Sequence, residues 1–369
     1  MEGKVSLLLL LTAFIPVGAQ ADRNLDISGR LIVDAIGASF VDENDVRSSD
    51  NDLYVRQAKL ELESDLTDWL KVNASAKYDQ YEESEVADLF LEFKPLKDWS
   101  LVAGQFKEPA GMEKMQSLGS QFFNERSLAT NVFSTSRKPG IKIEYDGKWA
   151  WVQAAYMQAD SRSGYFDSGN VYAARVAIRP YRDKSKDAFV HLGGFYSTRD
   201  EVELRYDIDE PLIARSFGNS FHSPNYYADR IDTGGVEIAA SFRRIVFQAE
   251  FFMQELYERD GDEWQQDGYY ATLSWTAFGK PRKYRNAKIR YNDKNDSAFE
   301  LSARISEADT VNFGEGDRAT VLSIAANYYS WKYYKLTLEY ESAELDGFDA
   351  GLTETLSGNS VALRLNASF

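Results

Sequence analysis

Apolar and polar residues alternate along most of the chain. Near its end, for example, Val361, Leu363 and Leu365 alternate with Arg364 and Asn366. A period of two is that of a β-strand with one apolar and one polar face. Since no stretch of comparable length keeps a helical period, the sequence predicts an all-β protein.

The predicted turns are of two kinds. One kind is short and leads at once into an aromatic residue, as at Trp69, Trp99 and Trp149. The other kind is long, polar and acidic, and comprises 41–52, 161–170, 200–230, 257–265 and 344–359. Short turns on one rim and long loops on the other are typical of an outer-membrane barrel. A soluble β-sandwich would need a second sheet over the apolar face, and no second pattern is present.

Sixteen such segments predict the fold class: a 16-stranded antiparallel transmembrane β-barrel with a long loop folded into the lumen. An even number places both chain ends on the short-turn side, as antiparallel closure requires. Barrels of this size enclose an aqueous channel, so we expect the inward polar residues to be solvated by channel water. The shortest predicted strand is 139–146.

Two segments differ from plain connections. Segment 108–138 is too apolar for a loop in water, because it contains Met112, Phe122 and Phe123. Long ordered loops are usually functional, and the lumen is the available place for this one, which predicts a constriction loop. Segment 279–297 is the most basic part of the chain and is predicted to be a periplasmic turn. It either stays solvated or folds into the inner mouth of the pore, where it would offer cations to anionic solutes.

Composition excludes several classes of protein. Asp and Glu number 58 against 42 Lys and Arg, giving a net charge of −16 and a pI near 4.8, which argues against nucleic acid as a partner. There is no cysteine, so disulfide scaffolds and Cys-ligated zinc are excluded. The mean hydropathy of −0.45 is too polar for a helical membrane protein.

The first 21 residues have the features of a secretory signal peptide. Lys4 supplies a positive charge, residues 5–15 form an apolar stretch, and Ala19-Gln20-Ala21 offers a small-x-small cleavage site. We therefore expect a signal peptide at 1–21 and a barrel domain at 22–369. Export together with a barrel predicts the outer membrane of a Gram-negative bacterium, with lipid and lipopolysaccharide as neighbours.

Several motifs, in order along the chain, resemble one family. They are Tyr54–Leu60, Val102–Pro109, Met112–Lys114, Asn124–Ser127, Phe299–Arg304 and the terminal Phe369. The second, third and fourth motifs resemble the constriction-loop signature of the phosphate-selective porins O and P. The first resembles the basic second strand of that family, and the fifth resembles a late strand.

The resemblance implies a homotrimer in which basic residues lead small hydrophilic anions, such as phosphate or polyphosphate, to a narrow site. The pore-lining and anion-binding candidates are Arg30, Arg56, Lys59, Lys107, Glu108, Glu113, Lys114, Arg126, Arg137, Lys138, Arg175, Arg179 and Arg304. Arginine suits phosphate because its planar fork binds two oxygens. Arg56 falls on the outward parity of its strand, so its assignment requires a bulge. Neither a cofactor nor a metal is expected.

The predicted lumen contains acidic residues in about the same number as basic ones. The inward carboxylates are Glu61, Glu63, Asp88, Glu92, Glu144, Glu237, Glu250 and Glu300. A selective phosphate channel should focus one sign of charge, whereas a mixed lumen suits a general, weakly selective diffusion porin. Both functions remain open at this level.

An enzyme and an adhesin are the remaining alternatives. Barrel hydrolases use Ser–His or acid–His sites, but this chain has only His191 and His222, without a Gly-x-Ser-x-Gly motif. The sequence therefore predicts no enzyme. A non-conducting adhesion or receptor barrel would explain the long loops but gives no role to segment 108–138.

Overall fold

The computed structural model describes most of the chain beyond the predicted signal peptide, which lies outside the described residues. The described ranges are 25–79, 83–135, 137–158, 169–183, 185–206, 208–213, 220–224, 226–258, 261–291, 297–330, 333–349 and 352–369. Within them, sixteen antiparallel strands form one closed barrel, which confirms the predicted all-β antiparallel barrel and its strand number.

The strands follow one another around the barrel in chain order. They are β1 (Leu25–Asp42), β2 (Arg47–Thr67), β3 (Leu70–Asp79), β4 (Glu83–Leu96), β5 (Trp99–Lys107), β6 (Arg137–Asp146), β7 (Ala150–Gln158), β8 (Gly169–Asp183), β9 (Ala188–Tyr206), β12 (Tyr226–Phe242), β13 (Ile245–Glu258), β14 (Glu263–Phe278), β17 (Ser297–Asp309), β18 (Gly316–Ser330), β19 (Tyr334–Asp349) and β20 (Leu352–Ser368). Two separate hairpins are β10 (Asp209–Pro211) with β11 (Ser220–His222), and β15 (Lys283–Arg285) with β16 (Lys288–Arg290). Pairing of β1 with β20 closes the barrel.

Each strand presents one apolar and one polar face, as the alternation predicts. On β17, Leu301 and Ile305 are exposed, whereas Glu300, Ser302 and Arg304 are buried. In a closed barrel the buried polar face is the inner one, and the exposed apolar face is the one that suits lipid. The alternation thus fixes which side chains reach the interior.

The short-turn rim is ringed by exposed aromatic side chains. Trp69, Trp99 and Trp149 lie at the turns between β2 and β3, β4 and β5, and β6 and β7. Trp69 contacts Phe93 edge-on, with ring centroids 5.4 Å apart. Amphipathic rings at the strand ends are the interfacial girdle of a membrane barrel.

Several segments that were predicted to be long loops are largely strand, because the barrel strands continue through them. β1 and β2 leave only 43–46 unpaired, and β19 and β20 leave only 350–351 between them. The strand to Glu258 and the strand from Glu263 shorten 257–265 in the same way. Polar residues on both faces hide the alternation where a hairpin rises above the apolar band. Most of segment 161–170 lies outside the described residues.

The boundaries of segment 108–138 also need correction. Arg137 and Lys138 already belong to β6, because they pair in register with Lys107 and Phe106 of β5. The connection between β5 and β6 is therefore 108–136, and its described part is called segment 108–135 below. It contains two short helices, α1 (Met112–Met115) and α2 (Leu128–Phe133), with a 3₁₀ turn at Leu118–Ser120 between them. No helix in the described residues is long and apolar enough to cross a membrane.

The interior is only partly polar, which corrects the expectation that channel water fills it. A buried apolar cluster joins inward residues of β1 and of strands β9 to β19 with α2 and the β10–β11 hairpin. Its members include Phe195, Phe221, Phe252, Leu256 and Val321. Apolar side chains at these inward positions exclude water from part of the barrel.

Candidate functional site

Helix α2 is held by its own cap and by packing on the barrel wall. The hydroxyl of Ser127 accepts a hydrogen bond from the backbone N of Thr130 at 3.1 Å, which is the usual N-cap interaction. Phe133 stacks on Phe252, with ring centroids 6.1 Å apart. Gly268 allows this approach, because a Cβ there would overlap the Phe133 ring.

Helix α1 is held by a carboxylate from the wall. Glu250 of β13 accepts hydrogen bonds from the backbone N atoms of Met112 at 2.8 Å and Glu113 at 2.6 Å. The preceding Gly111 has φ +63, and a Cβ there would overlap Glu250 Oε2. The first turn of α1 and Glu250 therefore fit together only with glycine at this position.

A second group of contacts ties the middle of the segment to the closing strands. Glu339 of β19 accepts a hydrogen bond from the backbone N of Asn124 at 2.6 Å. Arg364 of β20 forms a two-point ion pair with Asp34 of β1, at 2.6 and 2.5 Å, and binds Glu125 at 2.7 Å. The segment is thus fixed to β13 at one point and to β19 and β20 at another.

Most of the predicted cations are paired with carboxylates. The pairs are Arg56 with Asp79 and Glu125, Lys59 with Glu61, Arg137 with Asp88, Lys138 with Glu108, Arg175 with Glu237, Arg179 with Asp146, and Arg304 with Glu113. Paired charges in a protein interior cancel much of each other's field. These residues are brought inside the barrel, but they do not form one uninterrupted ladder of positive charge.

Arg56 reaches the interior through a β-bulge. The register of β1 and β2 shifts between Ile32 and Val33, which pair with Gln57 and Val55 and leave Arg56 as the extra residue. A bulge turns the extra side chain towards a face that its parity would not allow. The bulge that the assignment of Arg56 required is therefore present.

Glu108 lies at the start of the segment and is fully buried. Lys138 donates to its carboxylate at 3.2 Å, and Arg199 of β9 does so at 3.4 Å. Burial alone would raise the pKa of Glu108, but the two cations hold that pKa well below its usual range. Glu108 is thus a charged anchor that joins the segment to β6 and β9.

Three predicted cations converge on the turn at Gln116 and Ser117. Lys107 Nζ and Arg126 Nη2 both donate to the carbonyl oxygen of Gln116, at 3.0 and 3.1 Å. Arg30 Nη1 lies 3.5 Å from Ser117 Oγ. All three cations are partly exposed, and Ser117 is exposed. We name Arg30, Lys107 and Arg126 the cation cluster.

Two further predicted residues support the segment from within. Lys114 donates to the carbonyl oxygen of Ser134 at 3.1 Å. Glu113 accepts hydrogen bonds from the backbone N and the hydroxyl of Ser127, at 3.0 and 2.7 Å. These contacts join α1 to α2.

The described part of the basic turn, 279–291, forms the β15–β16 hairpin and contacts the inner wall. Arg175 donates to the carbonyl of Ala287 at 2.9 Å, and the Tyr284 hydroxyl lies 2.6 Å from His191 Nδ1. Strand β16 also contacts α1. Burial and the neighbouring Arg290 lower the pKa of Lys288 to about 7. The hairpin therefore meets segment 108–135.

The comparisons with known proteins identify the family. The family model of the phosphate-selective porins O and P matches residues 26–369. This chain belongs to that family. It forms an outer-membrane channel for small solutes.

Solved structures show the same fold for this porin. One is OmpT of Vibrio cholerae in its trimer form, with TM-score 0.62, 13% identity and coverage of 94% of this chain and 99% of that one. Another is the anion-selective porin from Comamonas acidovorans, with TM-score 0.60, 11% identity and coverage of 94% and 100%. A third is DcaP of Acinetobacter baumannii, with TM-score 0.56, 14% identity and coverage of 95% and 99%. No curated protein matches the chain.

The sequence interpretation missed several interior residues of this porin. These are Arg364 and Asp34, which form an ion pair between the last and first strands. Arg282 lies in the basic turn whose position the sequence left open, and it binds the inward Glu300 through two bonds of 2.8 Å and the Gln121 carbonyl at 3.1 Å. The inward parity of Arg364 on the last strand is the signal that would have indicated it. The partners were not predictable, since they come from strands far apart in sequence.

Both histidines of this porin contact neighbouring residues of the fold. His191 is buried against Tyr284 and lies 3.7 Å from Glu237. The backbone N of His222 donates to Asp317 at 2.6 Å, while its ring is exposed. Within the described ranges, no group of three or more His, Cys, Asp or Glu residues could hold a metal ion.

Proposed function

We propose that this porin prefers anions, with phosphate-like oxyanions as its main solutes, and that segment 108–135 narrows its lumen. The observation that supports this most is the cation cluster. Within the described residues, neither Arg30 nor Lys107 forms an ion pair; Arg30 binds Gln57 and Ser117, and Lys107 binds two carbonyl oxygens. Both side chains are partly exposed, so a positive charge on either would act on a passing anion.

The position of the segment supports a constriction. Its hydrogen bonds reach inward residues on β13, β17, β19, β20 and β1, which belong to one continuous arc of the barrel wall. A segment packed inside this arc occupies part of the lumen, and the opening that remains beside it is narrower. Solutes would lose part of their water there and gain hydrogen bonds from Lys107 and Arg126.

The test is a double substitution in the cluster. Lys107→Gln with Arg126→Gln keeps the side chains polar and removes two positive charges. We expect a lower anion preference in planar bilayers, with the barrel still folded as judged by heat-dependent gel mobility. An unchanged reversal potential in the folded double variant would reject the cluster as the selective site.

A general, weakly selective porin is the second candidate. It is favoured by the many ion pairs, and by Glu61 and Asp88, whose charges act on Arg30 and Lys107. This candidate predicts nearly equal permeability for K⁺ and Cl⁻, without block by phosphate.

Other aspects of the function are also proposals. We infer cleavage after Ala21, supported by a family match that begins at residue 26. We infer a homotrimer embedded in lipid and lipopolysaccharide, supported by the trimer form of the Vibrio cholerae OmpT. Neither catalysis nor a cofactor is part of the proposal. The native mass of the protein in mild detergent tests the trimer, and a monomer mass would reject it.

A further inference from the structure

The charged residues inside the barrel differ in their contact with water. On strands β8 to β19 most of them are covered: the side chains of Arg175 and Glu237 are both 0% exposed, whereas Glu341 is 16% exposed. On strands β2 and β6 they are partly exposed: the side chain of Glu61 is 30% exposed and that of Glu144 is 19% exposed. The interior thus has a dry side and a wet side.

The dry side is filled by both inserted segments. Met112, Phe122 and Phe123 of the connection after β5 form one apolar cluster with Tyr284 and Ile289 of the β15–β16 hairpin. This cluster also includes residues of β9, β12, β13 and β18. Towards the long-loop rim, the apolar cluster around α2 covers inward residues of β9 to β19. Water and solutes are excluded where these clusters pack.

The cation cluster opens towards the wet side. Lys107 lies at the end of β5, and the charges of Arg126, Arg137 and Asp88 act on it. Arg137 binds Asp88 of β4 through two bonds, at 2.7 and 3.0 Å. The cation cluster therefore lies beside the partly exposed charges of β4 and β6.

We propose that the conduction path is off-centre: from the level of the cation cluster to the short-turn rim it follows strands β2–β6, and strands β8–β19 do not line it. The proposal rests on the channel function and is independent of anion preference. It assigns the lining to three ion pairs on successive parts of this wall. They are Lys59 with Glu61 at 2.9 Å, Arg137 with Asp88 at 2.7 Å, and Lys142 with Glu144 at 3.3 Å.

This lining has a consequence for specificity. A solute passes pairs whose opposite charges nearly cancel, and it meets an excess of positive charge at the cation cluster. The buried arginines Arg175 and Arg304 then do not contact solutes and act as structural residues. Selectivity is set by the few charges that remain in water on one side.

Thiol labelling tests the path, because the protein has no cysteine of its own. Glu61→Cys and Glu144→Cys place a thiol on the wet side. Ser302→Cys on β17 and Ser323→Cys on β18 are matched variants on the dry side, at side chains that are 3% and 1% exposed. A small anionic methanethiosulfonate reagent is added while the current through each variant is recorded in a planar bilayer.

We expect the current through both wet-side variants to fall, with modification at least about tenfold faster than in the dry-side variants, because only accessible thiols react. Comparable rates at positions 302 and 323, or no reaction at 61 and 144, would overturn the proposal. If the unsubstituted protein carries no current before the reagent is added, the channel function itself is rejected. Heat-dependent gel mobility of each variant shows that the barrel is folded, and two positions per side protect the test against failure of one variant.

Discussion

Most of the charged side chains inside the described part of this barrel form ion pairs. Arg175 and Glu237 are joined by two bonds of 2.7 and 2.8 Å, and the same guanidinium binds the carbonyl of Ala287. Removing one member of such a pair leaves a buried charge without compensation, which is costly. Residues of this kind position the inserted hairpin and contribute little free charge to a solute.

Lys107 is the residue at which we expect the largest effect of a single charge. Lys107→Gln should lower the ratio of anion to cation permeability roughly two- to fivefold, because its charge lies in the narrow part of the path. Lys71→Gln is the matched control, since Lys71 lies near the short-turn rim, is paired with Asp65 at 2.8 Å and is 42% exposed. Equal shifts in the reversal potentials of the two variants would contradict the special position of Lys107.

Lys288 should make the selectivity depend on pH. Its pKa is lowered to about 7 by burial and by Arg290, with Glu144, Lys142 and Arg175 as the other charged neighbours. Below this pH the amine is protonated and adds a positive charge, and above it the amine is neutral. Anion preference should therefore be higher at about pH 6 than at about pH 8.

The control for this prediction removes the titrating amine. In Lys288→Met, reversal potentials measured across the same pH range should lose the step near pH 7. Lys186→Met, at a side chain that is 58% exposed on a short turn, should keep it. A step of unchanged size in Lys288→Met would assign the pH dependence to another group.

At the scale of elements, α1 depends on its fit to the wall. Gly111→Ala would place a methyl group against the carboxylate of Glu250, which accepts the first two amide hydrogen bonds of the helix. We expect the helix to shift and single-channel conductance to change. Gly261→Ala is the control, because Gly261 also has positive φ, at +93, but no atom lies within 4 Å of a Cβ there. Identical conductance in both variants would show that α1 does not set the width.

The ion pair that joins β20 to β1 should matter for stability. Arg364→Ala leaves Asp34 buried without its partner, which should lower the free energy of unfolding by about 3–5 kcal/mol. Arg318→Ala should cost about 0–1 kcal/mol, because Arg318 is 51% exposed in its pair with Asp309. Denaturant unfolding of the two variants, followed by gel mobility, measures these losses. Equal losses of unfolding free energy in Arg364→Ala and Arg318→Ala would contradict a structural role for the buried pair.

At the scale of the whole molecule, alternation was enough to predict the barrel. Inward parity placed residues such as Glu300 and Arg304 correctly, and the expected bulge at Arg56 is present. The strand extensions around 47–52 could not be predicted, because polar residues on both faces remove the period of two. The ion-pair partners could not be predicted either, since pairs such as Arg364 with Asp34 depend on closure.

The division of the interior into a dry and a wet side could not be predicted from the alternation of apolar and polar residues either. The apolar residues of segment 108–138 indicated that it is covered, but not which wall covers it. That depends on contacts such as Phe133 with Phe252 and Met112 with Glu250, which form between distant parts of the chain. The phosphate preference likewise depends on which cations keep their charge after folding.

The reversal potential of the purified porin under a KCl gradient, repeated with added phosphate, shows directly whether the channel selects anions. If the cation cluster determines selectivity, the potential shows anion preference and low phosphate reduces the chloride current. A potential near zero or on the cation side, with current unaffected by phosphate, would reject anion selection by the cation cluster and leave a general diffusion porin of the same fold.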